Sequence, residues 1–173
     1  LGLACEELEY VDTSLRVILS VHVGLNSLTL LSWGTEAQKK RYLVPQAQGE
    51  RMATFALTEP SAGSDARGIQ TVAVRKGDRY FLTGEKMWIS LADVADNFLV
   101  FAWSDAEKKK QRDPSGISAF IVERPFKGFS SGTLKEKWGI LAGNTGFFKM
   151  EDVEVPEANV LGRPGEGFKI AMF

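Results

Sequence analysis

The hydrophobic pattern of this chain changes abruptly at Met52, and that change constrains the fold more than any other feature. Across residues 1–50, apolar side chains recur every three or four positions, which predicts helices. Beyond Met52, short runs of β-branched and aromatic residues are separated by Gly, Pro, Asp and Ser, which predicts strands and turns. Helices followed by strands indicate an α+β fold, because a parallel sheet would need the two kinds of element to alternate.

Local signals place some of the elements. Thr35 stands three residues before Gln38, a capping-box pattern that opens a helix over residues 39–46 after a stop at Gly34. Gly77-Asp78 predicts a tight hairpin between the runs 70–76 and 79–83. Further strands are predicted over residues 97–103, 116–123 and 147–155.

The polar segment 105–115 contains the basic cluster 108–112 and ends in Asp-Pro-Ser-Gly, which predicts an exposed loop. We therefore predict three parts. A partial N-terminal helical domain covers residues 1–51, and an antiparallel, β-barrel-like domain covers residues 52–160. The start of a C-terminal helical domain covers residues 161–173.

Composition excludes several classes of function. The 173 residues are 44% apolar and carry a formal net charge of -1 without a basic stripe, which argues against nucleic-acid binding. One cysteine, Cys5, and one histidine, His22, exclude an internal disulfide and the common metal clusters, so an intracellular protein is expected. No run approaches the roughly 20 apolar residues of a membrane span.

Residues 56–68 carry the main functional signal. The apolar run before them must leave its strand at Glu59-Pro60, because proline cannot continue a β ladder. The small residues from Ser61 to Ser64 allow backbone N–H groups to approach a pyrophosphate closely. An ordinary surface turn has the same composition. The common dinucleotide and P-loop patterns are missing, so a cofactor would be held by another device.

Both this segment and residues 84–90, Gly-Glu-Lys-Met-Trp-Ile-Ser, resemble the flavin motifs of acyl-CoA dehydrogenases. All thirteen positions from 56 to 68 agree with the first motif. Segments 33–43, 151–159 and 165–168 agree as well. The resemblance implies a flavoprotein that introduces an α,β double bond into an acyl-CoA thioester and passes hydride to FAD.

The same resemblance implies site residues. The flavin contacts would come from Phe55, Leu57, Thr58, Gly63, Ser64, Trp88, Ile89 and Ser90. Thr58 would meet the pyrimidine, Gly63 and Ser64 the pyrophosphate, Trp88 the ring edge, and Ser90 the flavin N5. Taken alone, a tryptophan in a strand is more typical of a core.

Substrate contacts are implied for Ser64, which would face the thioester, and for Gln111 or Arg112, which would lie near coenzyme A. A solvated loop is the alternative for the last two. The resemblance places the catalytic glutamate in a C-terminal helical domain beyond Phe173, so no catalytic residue is expected in this chain. Glu59, although it adjoins the flavin loop, is therefore not assigned as the base.

The chain starts within a helical pattern and stops in another, so a fragment of a longer protein is expected. The resemblance implies acyl-CoA as substrate, electron-transfer flavoprotein as acceptor, and a homotetramer or homodimer. The location would be cytoplasmic in a prokaryote or the mitochondrial matrix in a eukaryote. Leu141 and Gly143 replace an arginine and a serine of many members, which leaves the subfamily open. An acyl-CoA oxidase, a flavin monooxygenase and a non-catalytic β binding module are the alternatives.

Overall fold

The computed structural model describes residues 2–173, and its N-terminal part is helical as predicted. The helices are α1 (Gly2–Val11), α2 (Thr13–Trp33, π-helical over Leu19–Ser27) and α3 (residues 36–47, π-helical over Lys39–Leu43). The capping box is confirmed, because the Thr35 hydroxyl accepts from the Gln38 N–H and the Gln38 side chain accepts from the Thr35 N–H. Helix α3 therefore begins where the local sequence satisfies its first free donors.

Eight strands follow in one sheet. They are β1 (Ala53–Ala56), β2 (Val72–Lys76), β3 (Arg79–Ser90), β4 (Asn97–Trp103), β5 (Ile117–Glu123), β6 (Phe129–Thr133), β7 (Thr145–Pro156) and β8 (Val160–Leu161). The order is β6-β7-β3-β2-β4-β5-β8, with β1 also paired to β4. The predicted hairpin is confirmed, since β2 and β3 pair antiparallel around Gly77, whose φ is 63°.

Most of the pairing is antiparallel, as predicted, but β4 also has two parallel neighbours. Its residues 97–100 pair with β1, and Trp103 pairs with Val72 of β2. The segment between β1 and β4 contains the whole β2–β3 hairpin, which is long enough to return the chain in the same direction. The local alternation of residues carries no information about this direction.

Strand β4 divides the interior into two cores, because every one of its residues is buried. Phe98 and Val100 face a cluster formed with β3 and β7, whereas Leu99 and Phe101 face a cluster that includes residues of α2, α3 and the C-terminal helix. A strand covered on both faces reads as a continuous apolar run. Strand β4 is therefore covered on one face by residues of β3 and β7, and on the other by a cluster that includes residues of the helices.

Helix α2 is fixed to β1 by polar side chains. The Asn26 amide donates to the Thr54 carbonyl oxygen at 2.7 Å, and the backbone N–H of Ala53 donates to Nδ1 of His22 at 3.0 Å. The other ring nitrogen of His22 lies 3.3 Å from the Gln46 carbonyl oxygen. The single histidine thus links two helices to the strand that leads into residues 57–68.

The prediction that no segment approaches a membrane span was too strong. Helix α2 has 21 residues and is long and apolar enough to cross a membrane by length and composition. This is weak support for a span, because the core helix of a soluble protein passes the same test. The bonds from His22 and Asn26 to β1 show that one face of α2 packs against the sheet.

The prediction of a loop over residues 105–115 was wrong. Residues Ala106–Gln111 form helix α4, which begins where the Asp105 carboxylate accepts from the backbone N–H groups of Glu107 and Lys108. Asp105 is a favoured N-cap, and alanine, glutamate, lysine and glutamine all favour helices. The predicted C-terminal helix is confirmed as α5 (Gly167–Ala171).

Candidate functional site

The chain turns away from the sheet at Glu59-Pro60, as predicted, although the ladder of β1 already ends at Ala56. Glu59 and Ala62 exchange backbone hydrogen bonds of 3.0 and 3.1 Å, which close a tight turn around Pro60 and Ser61. The chain then makes a short 3-10 turn over Ala66–Gly68 before β2. Residues 57–68, which we call the first loop, therefore stand outside the ladder.

The end of β3 is distorted where the second motif lies. Its pairing with β7 shifts register between Met87 and Ile89, and Trp88 has a φ of 61° between them. A left-handed conformation costs a side chain with a Cβ about 1 to 2 kcal/mol. Trp88 is 60% exposed while Ile89 is buried, so the irregularity turns the indole outward. Trp88 is thus not the core tryptophan that strands usually contain.

The two motifs are joined along one edge. The backbone N–H of Met87 donates to the Thr58 carbonyl oxygen at 3.0 Å, and the Lys86 ammonium donates to the Leu57 carbonyl oxygen, also at 3.0 Å. On β1, just before the first loop, the Thr54 hydroxyl donates to the carbonyl oxygen of Ser90 at the end of β3, at 2.5 Å. The tertiary fold therefore brings together segments about thirty residues apart in the chain.

A buried ion pair lies beneath this edge. The Lys86 ammonium is 2.8 Å from Oε1 of Glu59, and both side chains are almost inaccessible. The same carboxylate accepts from the backbone N–H groups of Gln70 and Thr71 and from the Thr71 hydroxyl. Glu59 therefore accepts from four donors, and one of them, the Lys86 ammonium, is also its countercharge.

Burial and pairing act against each other on these two groups. Burial lowers the pKa of Lys86 to about 8, although the charge of Glu59 opposes this shift. Burial acts to raise the pKa of Glu59, but the charge of Lys86 and the hydrogen bonds to Thr71 and Gln70 hold that pKa below its ordinary value. Both groups are therefore charged at neutral pH, and the Lys86 ammonium loses its proton as the pH rises above about 8.

The edge that joins the two motifs carries hydrogen-bond donors that have no acceptor among the described residues. Within residues 2–173, the hydroxyls of Thr58, Ser64 and Ser90 and the backbone N–H groups of Gly63 and Ser64 make no hydrogen bond. Gly63 and Ser64 are exposed, and a Cβ added to Gly63 would meet no atom within 4 Å. Unpartnered donors in both motifs, together with the exposed indole of Trp88, have the chemistry to bind a ligand with an aromatic ring and a phosphate.

The side chains of the other predicted flavin residues pack against the two cores, partly buried at Phe55 and Leu57 and buried at Ile89. Phe55 packs against Phe101 with their ring centroids 4.9 Å apart, and Leu57 packs on the same core cluster. The Ile89 side chain is also buried, in the other core. Because these side chains pack inward, we expect Leu57 and Ile89 to contact a ligand through their backbone groups.

The two residues predicted to lie near coenzyme A, Gln111 and Arg112, are at the end of helix α4, which is attached to the first loop. Arg112 ends α4 with a φ of 54°, and its guanidinium lies 2.5 Å from the Asp65 carboxylate. This hydrogen bond is the main reason that the pKa of Asp65 lies below its ordinary value. Gln111 is exposed at the end of the same helix. The fold thus brings Arg112 next to Ser64 through Asp65.

Sequence reasoning missed Lys86 and Thr71, which complete the support of the first loop. Tyr80 and Leu82 occupy the inward positions of β3, and Lys86 falls on the same alternation, a signal that could have identified it as buried. Gly84, at a φ of 155°, lets β3 approach Thr71, because a Cβ there would lie 2.4 Å from the threonine hydroxyl.

Two protein-family descriptions match the chain. The acyl-CoA dehydrogenase middle domain matches residues 54–153, and the acyl-CoA dehydrogenase N-terminal domain matches residues 1–50. The middle-domain match alone covers more than half of the chain. The chain therefore belongs to the acyl-CoA dehydrogenase family.

Individual relatives agree with this assignment. A short-chain-specific acyl-CoA dehydrogenase from Clostridium acetobutylicum is 46% identical over 170 residues, covering 98% of this chain and 44% of that protein. Butyryl-CoA dehydrogenase from Megasphaera elsdenii has a similar structure, with a TM-score of 0.93 and 43% identity over 98% of this chain and 44% of that one. This chain thus spans less than half the length of either relative.

A glutaryl-CoA dehydrogenase from Mycobacterium smegmatis, solved in complex with FADH2, has a TM-score of 0.90 at 33% identity. The match covers 99% of this chain and 42% of that one.

Proposed function

We propose that this chain forms the flavin- and acyl-CoA-binding part of an acyl-CoA dehydrogenase, which introduces an α,β double bond into an acyl-CoA thioester. The edge that joins the two motifs carries this proposal. It combines the open hydroxyls of Thr58, Ser64 and Ser90 with the exposed indole of Trp88. FAD has the aromatic ring and the pyrophosphate that such an arrangement can bind.

FAD, when bound, supplies an acceptor for the hydride that leaves the β-carbon of the thioester. This chain's residues bind and orient it. Trp88 provides a rigid apolar wall, and the Ser90 hydroxyl donates toward the ring and tunes its electronics. Thr58 holds the pyrimidine side, and the backbone N–H groups of Gly63 and Ser64 hold the pyrophosphate.

For the substrate, the Ser64 hydroxyl faces the thioester, and Gln111 or Arg112 contacts coenzyme A. Arg112 keeps free guanidinium donors beyond its bond to Asp65, and anions with phosphate groups suit such donors. The proton-abstracting glutamate lies beyond Phe173 in this proposal. Glu59 does not suit that role, because its carboxylate is buried and committed to Lys86.

The partners follow from the same assignment. Electron-transfer flavoprotein is the proposed acceptor, and the full-length protein forms a homotetramer or homodimer. It works in the cytoplasm of a prokaryote or in the mitochondrial matrix of a eukaryote.

The test uses the full-length protein that contains this chain. It should purify with a yellow flavin spectrum, and butyryl-CoA or a longer acyl-CoA should bleach that spectrum under anaerobic conditions. Reoxidation by electron-transfer flavoprotein but not by oxygen would support a dehydrogenase. Rapid reoxidation by oxygen would favour an oxidase or a monooxygenase, and a colourless protein that binds no flavin would contradict the proposal.

A further inference from the structure

The ammonium of Lys86 is a single group that holds both motifs. It lies on β3 within the second motif and donates to two oxygens of the first loop, the Leu57 carbonyl at 3.0 Å and the Glu59 carboxylate at 2.8 Å. Its side chain is completely buried. The neighbouring backbone bond from Met87 to Thr58 lies at the same junction.

Stability alone is a poor explanation for such a pair. Taking two charges out of water costs several kcal/mol per ion, and apolar replacements of similar size are often neutral or stabilising. A methionine would fill the space of the Lys86 stem, but it could not donate to the Leu57 carbonyl oxygen. What the Lys86 ammonium contributes beyond packing is therefore a hydrogen bond that holds the Leu57 carbonyl, and with it the residues that follow Leu57, in place.

The Glu59 carboxylate holds the opposite side of this junction. It receives the backbone N–H groups of Gln70 and Thr71 and the Thr71 hydroxyl, so it is anchored to the start of β2. Lys86 is thus bonded to a carboxylate that cannot move independently of the sheet. Of the two partners of Lys86 in the first loop, Leu57 is the one that is itself a predicted flavin contact.

We infer that Lys86 and Glu59 are positioning residues for the flavin site, with Lys86 holding the Leu57 carbonyl so that Leu57 and Thr58 face Trp88 and Ser90 in binding geometry. This inference rests on the proposed function, because it assumes that the edge binds flavin. It assigns the pair no contact with the cofactor. Its loss should weaken flavin binding even where the fold is retained.

The experiment separates positioning from stability in the full-length protein. Lys86→Met, Glu59→Gln and the double variant are compared with wild type for the free energy of unfolding of the apoprotein and for the Kd of FAD, measured by fluorescence titration. Lys149→Met is the matched control, because Lys149 is half-exposed and lies 3.9 Å from Glu85. The control should change neither quantity.

We expect Lys86→Met to lower stability and to raise the Kd of FAD about tenfold or more. The double variant, which no longer buries an unpaired carboxylate, should regain part of that stability while the Kd stays raised. The absorbance of its bound flavin should also differ from wild type, because Leu57 and Thr58 are no longer held.

Three results would overturn the inference. The first is a double variant whose Kd returns to the wild-type value together with its stability, which would mean a purely structural pair. The second is a Lys86→Met protein that binds FAD as wild type does. The third is a double variant that does not fold, because the pair would then serve folding itself. A wild-type protein without flavin affinity would instead refute the proposed function.

Discussion

The backbone N–H of Met87 donates to the carbonyl oxygen of Thr58 at 3.0 Å. This bond connects a distorted strand end to a loop that precedes it by about thirty residues in sequence. Next to this junction, Trp88 is exposed and Thr58 is partly buried.

Replacing Trp88 by glycine should separate stability from binding. Glycine adopts a φ of 61° without strain, which offsets the loss of the buried part of the indole and the conformational entropy of glycine, so the stability of the apoprotein should change by no more than about 1 kcal/mol. The same change removes the apolar wall and should raise the Kd of FAD about tenfold or more. Trp138→Gly is the control, because Trp138 is fully exposed in another loop; a Trp88→Gly protein with wild-type Kd would refute the assignment of the wall.

Ser90→Ala should change flavin reduction more than flavin retention. Its hydroxyl has no partner within residues 2–173, so removal should leave apoprotein stability within about 0.5 kcal/mol of wild type. Loss of a donor at the ring should slow bleaching by acyl-CoA in anaerobic stopped-flow measurements. Ser130→Ala, on an exposed position of β6, should bleach at the wild-type rate. If Ser90→Ala bleached as fast as Ser130→Ala, the assignment of Ser90 to the flavin site would be wrong.

Gly63→Val should abolish flavin binding without unfolding the apoprotein. A Cβ at Gly63 meets no atom within 4 Å, so the added side chain occupies open space that the pyrophosphate would need. Ser64→Ala should be milder, with a loss of about 0.5 to 1.5 kcal/mol in binding free energy. Gly139→Val is the matched control, because that position is equally open. Fluorescence titration should give this order of Kd values, and a folded Gly63→Val protein of wild-type affinity would contradict it.

Alkaline pH should stabilise the apoprotein through Lys86. Its pKa is about 8 in the folded state against 10.5 ordinarily, so the unfolded chain binds the proton more tightly between these values. Unfolding free energy should then rise by about 2 kcal/mol from about pH 7 to about pH 9.5. Burial raises the pKa of Tyr42 well above its ordinary value, which opposes the trend only beyond this window. Urea titrations of the Lys86→Met and Glu59→Gln double variant should show no such rise.

The 173-residue chain alone should not turn over an acyl-CoA. The two motifs carry three carboxylates, and each lies within 4 Å of a basic side chain: Glu59 of buried Lys86, Asp65 of Arg112 and Glu85 of Lys149. The measurement is reduction of an artificial electron acceptor with butyryl-CoA and octanoyl-CoA. Steady turnover by this chain would show that the base lies within it.

Much of the fold could be predicted because its signals are local. The capping box at Thr35, the hairpin at Gly77 and the strand over Asn97–Trp103 each depend on a few adjacent residues. The helix at Ala106–Gln111 was missed although its cap is also local, because its polar residues were weighed as a loop rather than as helix formers. The parallel neighbours of β4 could not be predicted, since direction depends on how the chain returns.

By itself, the sequence determined the family, the two motifs and the small residues that leave the first loop open, because these depend on residue identity and spacing. Only the tertiary structure decided that Trp88 points outward, since a register shift against β7 places it at a positive φ. It alone also decided that Lys86 reaches Leu57 and Glu59. Such contacts join residues far apart in sequence, and a buried charge finds its partner only when the sheet closes around both.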